Sequence, residues 1–100
     1  MPAFKAEVLH ALGQAQAISR LKSLMEQARE QYRDDVSQIS GAWKDHVMDF
    51  SLTTFGMTVK GTLTVEEAAA RVAGQLPLAA AFFRGKIEQS IASELQKALG

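Results

Sequence analysis

The stretch from Val36 to Leu76 alternates apolar and polar residues with a period of two, and it constrains the fold more than any other feature of the chain. Ile39, Gly41 and Trp43 alternate with Gln38, Ser40 and Ala42, after which Lys44-Asp45 reads as a tight connection. Met48, Phe50 and Leu52 then share one face, with Asp49, Ser51 and Thr53 on the other, and Phe55-Gly56 supplies a turn. Val59, Gly61, Leu63 and Val65 form the inward set of the next strand. Its solvated face carries Thr58, Lys60, Thr62 and Thr64, where β-branched threonines fit a pleated surface. Such a run folds as an antiparallel meander, which requires something apolar to cover one side.

The flanking segments supply that cover. Phe4, Ala6 and Val8 alternate with Lys5 and Glu7, predicting a short opening strand. Beyond Gly13 the period lengthens to three and four at Ile18, Leu21, Met25, Ala28 and Tyr32. The opposite side carries Gln16, Arg20, Lys22, Glu26, Gln27 and Glu30, so an amphipathic helix is expected to end near Arg33-Asp34-Asp35. "EEAAARVAGQLP" is ambiguous, since its alanines favour a helix. The alternation of Ala70, Val72, Gly74 and Leu76 and the disruptive Gly74 and Pro77 favour a strand, with Glu66-Glu67 as its hairpin connection. A final helix starting near Pro77 carries Phe83, Ile87, Ile91 and Leu95 as its inward stripe, continued by Ala98 and Leu99. The expected fold class is α+β, in the order β-α-β-β-β-β-α, with residues 1–100 forming a single domain.

Charge and motif content then narrow the function. Eleven Lys and Arg balance 11 Asp and Glu, so no long-range field draws the chain to nucleic acid, which is not an expected partner. There is no cysteine, hence no disulfide framework, thiolate metal site or cysteine nucleophile. The two histidines, His10 and His46, lack metal-ligand spacing. Asp34-Asp35 and Glu66-Glu67 read as solvated turns rather than acid-base pairs. No phosphate-binding loop, nucleophile elbow or His-Glu-x-x-His pattern occurs, so neither an enzyme nor a cofactor is expected. "MPAFKAEVLH" shows no signal-peptide pattern, and the Leu76 to Phe83 run is far shorter than the roughly 20 residues of a membrane span. A cytoplasmic location and no transmembrane segment are the expectations.

"LPLAAAFFRGK" is the most informative stretch. If Phe83 lies on the inward stripe, Phe82 is rotated from it by about 100°. Phe82 with Leu78 and Ala79 then forms an apolar shoulder, rimmed by Arg84 and Lys86, available to a partner. The competing expectation is a sheet that wraps far enough to bury both rings. Gly85, costing about 1 kcal/mol relative to Ala in a helix interior, suggests close backbone approach or a kink.

Two blocks, "HALGQAQAISRLKSLMEQ" and "FFRGKIEQSIASELQKAL", together resemble the small bacterial polyhydroxyalkanoic acid system proteins, a granule-associated family. The matching positions are His10, Leu12, Gly13 and Ala17 in the first block and Phe83, Arg84, Gly85, Lys86, Ile87 and Glu88 in the second. The sequence departs from the family at "AAARVAGQLP", where its strand is usually highly charged. The resemblance implies a cytoplasmic, non-enzymatic accessory protein of polyhydroxyalkanoate storage and carries over no catalytic residues. Its partner would be the granule surface or a granule protein, engaged through the shoulder at Leu78, Ala79, Phe82, Arg84 and Lys86. Two other expectations stand beside it. One is a small carrier holding a hydrophobic acyl ligand in room left by Gly41, Gly61 and Gly74, though these glycines equally suit strand bends. The other is a homodimer in which the shoulder and the threonine-rich sheet face bury each other.

Overall fold

The structure is a computed structural model, and it describes residues 3–31, 38–54 and 56–100. Five strands form one antiparallel sheet in the order β1-β5-β4-β3-β2: β1 (Ala3–Leu9), β2 (Gln38–Lys44), β3 (Val47–Thr54), β4 (Met57–Val65) and β5 (Ala69–Gln75). The α+β class and strand content therefore follow the sequence pattern. Helix α1 (Gln14–Gln31) joins one edge strand to the other, and α2 (Arg84–Leu99) closes the chain. At about 1.5 Å per residue α1 is about 27 Å long, while five strands at ~4.8 Å spacing are ~19 Å across. One 18-residue helix is thus long enough to cross the whole sheet. The other connections within the sheet are short. Residues 66–68 link β4 to β5, closed by Glu66 N–H on the Ala69 carbonyl at 2.8 Å.

Register places the inward residues of the alternating pattern on one face. One row runs Phe4, Gly74, Gly61, Phe50, Gly41 across all the strands, and the next runs Ala6, Val72, Leu63, Met48, Trp43. Both helices pack on this face, so the core gathers Phe4, Val8, Leu63, Val65 and Val72 from the sheet, Ala17 and Leu21 from α1, and Leu95 and Leu99 from α2. The most deeply buried line of α1 is Ala17 and Leu21; Ile18, Met25 and Ala28 lie beside it, half-buried. The other sheet face is polar. There Thr62 donates to Asp49 at 3.1 Å, and Arg71 bridges Glu7 and Glu66.

Three local expectations shift. The β2–β3 connection is Asp45-His46 rather than Lys44-Asp45, because Asp45 takes the left-handed conformation (φ 57°) that a tight turn needs and an Asp tolerates. The final helix does not run unbroken from Pro77: Leu78–Phe83 is a 3-10 helix, and α2 begins only at Arg84. Phe83 consequently leaves the inward stripe, which starts at Ile87. Tyr32, the expected helix end at Arg33-Asp34-Asp35, Val36 and Phe55 lie outside the described residues.

Candidate functional site

Pro77 sets up the local geometry that exposes the shoulder. Its backbone is extended (φ −59°, ψ 152°), and its carbonyl accepts from Ala80 N–H at 2.9 Å, the three-residue bond of a 3-10 helix. With three residues per turn, Ala80 repeats on the side of Pro77 and faces the core, so a small side chain is the buried one. Phe83 closes the segment at φ −101°, ψ 12°, outside helical geometry, and Arg84 N–H turns back to the Ala81 carbonyl. The bulky side chains are left outside: Phe82 is 95% exposed, Leu78 77% and Phe83 59%.

Leu78, Ala79, Phe82, Arg84 and Lys86 are therefore all exposed, and all lie on the 3-10 segment or the first turn of α2. Phe83 joins them, which sequence periodicity missed because it assumed one unbroken helix, whereas Phe83 leaves helical geometry at the junction of the 3-10 segment and α2. The first turn of α2 has no acidic residue and no side-chain cap. Arg84 and Lys86 place two cations at this end of α2. Gly85 makes no close approach, for no atom lies within 4 Å of where its Cβ would stand.

The residues around the start of α1 do other work. His10 Nδ1 accepts from Leu12 N–H at 3.2 Å, so Nε2 carries the proton and donates to the Glu66 carbonyl at 2.9 Å. Both ring nitrogens are engaged. The Glu67 carboxylate accepts from Gln14 N–H at 3.1 Å and caps α1, while Gln14 Nε2 reaches the Val65 carbonyl at 2.8 Å. Glu66-Glu67, read from sequence as a solvated turn, is thus a latch between the β4–β5 hairpin and the start of α1. Among the described residues no group of three His, Asp or Glu could hold a metal ion.

The room expected above Gly41, Gly61 and Gly74 is taken by protein. A Cβ at Gly61 would lie 2.7 Å from Phe50 Cζ, one at Gly74 2.7 Å from Phe4 Cε1, and one at Gly41 2.8 Å from Met48 Sδ. These glycines admit neighbouring side chains and close strand approach, rather than holding space for an acyl chain. An open groove between α1 and α2, lined by Arg20, Leu24, Ala28, Glu94 and Ala98, is separate from the shoulder. Among the described residues no helix is long and apolar enough to cross a membrane.

Comparison with known proteins bears on the chain as a whole. The family model described as "Putative polyhydroxyalkanoic acid system protein" matches residues 5–99. No curated protein matches the sequence. A crystal structure of TTHA0849 from Thermus thermophilus is similar at 13% identity and a TM-score of 0.45, covering 98% of this chain and 94% of that one. That likeness is too slight to carry an argument.

Proposed function

Because the chain belongs to the polyhydroxyalkanoic acid system protein family, we propose that it is a non-enzymatic, cytoplasmic accessory protein of polyhydroxyalkanoate storage. It acts at the granule surface or on a granule protein through the shoulder of Leu78, Ala79 and Phe82. The observation that carries this reading is the 95% exposure of Phe82 beside a similarly outward Leu78. Large apolar side chains clustered in water mark interaction sites. Apolar contact supplies affinity, and Arg84 and Lys86 meet polar or anionic groups at the rim.

Co-sedimentation with purified polyhydroxyalkanoate granules tests it, comparing wild type with Phe82→Ser and a neutral control protein of similar size. Retention of wild type and loss of the folded variant is the expected result. A wild type that stays in the supernatant overturns direct binding to the granule.

A further inference from the structure

The two edges of the sheet are treated differently. The edge of β1 is partly covered: α2 packs against β1, the Glu88 carboxylate accepts the Lys5 backbone N–H at 2.8 Å, and Lys5 and Glu7 put charges on the strand. Among the described residues, the edge of β2 shows few of the usual protections against strand pairing. Its register against β3 is continuous from Gln38 to Lys44, with no bulge. It contains no proline, and its single charge, Lys44, sits at the very end. Ser40, Gly41 and Ala42 at its centre are small and exposed, and among the described residues no strand pairs with its outer side.

We infer that β2 pairs with β2 of a second copy of this chain, antiparallel about a two-fold axis at Gly41, joining two five-stranded sheets into one.

Self-complementarity selects a second copy over an unrelated strand. Centred on Gly41, the pairing sets Ser40 opposite Ala42 and Lys44 opposite Gln38, so no cation faces another. The two glycines meet at the axis, where the absence of side chains lets the backbones approach. On the inner face, half-buried Trp43, Phe50 and Leu52 lie next to the junction and gain cover from their counterparts. A chain with 11 cationic and 11 anionic residues carries no net charge to repel its copy. α2 against β1 and the Glu88 bond to Lys5 disfavour pairing there, so an isologous contact that consumes the β2 edges leaves little to propagate and the assembly stops at two.

The interface is independent of the Phe82 shoulder, which permits a clean test. Light scattering coupled to gel filtration, run over a broad dilution series, should give wild type at twice the chain mass, falling towards the chain mass on dilution. Ser40→Lys with Ala42→Lys places like charges opposite each other at both pairs, on the exposed polar face, and should give half the wild-type mass with an unchanged far-ultraviolet spectrum. Phe82→Ser should remain at the wild-type mass. Amide exchange in residues 38–44 should slow with concentration in wild type and not in the double-lysine variant. A wild type at the chain mass at every concentration overturns the inference, as does a double-lysine variant that still dimerises.

Discussion

Glu88 accepts a hydrogen bond from the backbone N–H of Lys5 at 2.8 Å across 83 residues of sequence, so a side chain of α2 satisfies one outward N–H on the edge of β1. The contact gives the Glu that follows Ile87 a structural role. It ties the start of α2 to the first strand, close behind the exposed 3-10 segment. Glu88→Ala should cost on the order of 1 kcal/mol in urea unfolding, below the usual range for bonds to charged groups because the site is exposed. Glu88→Gln, which keeps an acceptor, should lose less. Faster amide exchange at Lys5 in the Ala variant checks the mechanism.

Glycine substitutions should divide by sign. At Gly74 a Cβ would overlap the Lys60 carbonyl oxygen and stand 2.8 Å from Gly61 Cα, neither of which is free to move aside. Gly74→Ala should therefore destabilise the protein by about 1–3 kcal/mol or more. Gly85 lies in the first turn of α2 with open space around it, so Gly85→Ala should stabilise by up to about 1 kcal/mol. Paired thermal melts decide both.

The latch at the start of α1 should behave as a unit. Glu67→Ala removes the carboxylate that caps Gln14 and should cost about 0.5–2 kcal/mol. His10→Ala strands the Leu12 N–H and the Glu66 carbonyl, both in part-buried bonds, for about 1–3 kcal/mol. Since both residues hold the same hairpin connection, the double variant should lose less than the sum of the singles. Strict additivity in a double-mutant cycle would show that they act separately.

Phe82→Ser should leave stability within about 0.5 kcal/mol of wild type, as expected for a side chain that touches little. Leu95→Ala, at a buried core position, should cost about 2–5 kcal/mol. A comparable loss at Phe82 in the same unfolding assay would place its ring in the core.

The sequence by itself determined which residues turn inward on each strand, because alternation is a property of a few consecutive residues and needs no partner. That is why Val59, Gly61, Leu63 and Val65, and the strand assignment of Ala69–Gln75, were legible without coordinates. It also picked out Leu78 and Phe82 as candidates, since α-helical rotation from an inward Phe83 turns Phe82 about 100° off the inward stripe. The tertiary structure decided what depends on distant parts of the chain. Gln14 finds its cap 53 residues away at Glu67, and Phe4 fills the space over Gly74 only because β1 pairs with β5. Phe83 shows the limit most plainly: an assumed continuous α-helix put it in the core, but the chain breaks there, with Phe83 at φ −101°, ψ 12° between the 3-10 segment and α2, and the ring is 59% exposed. Local pattern sets which face a side chain prefers, whereas strand order and helix docking determine what that face meets.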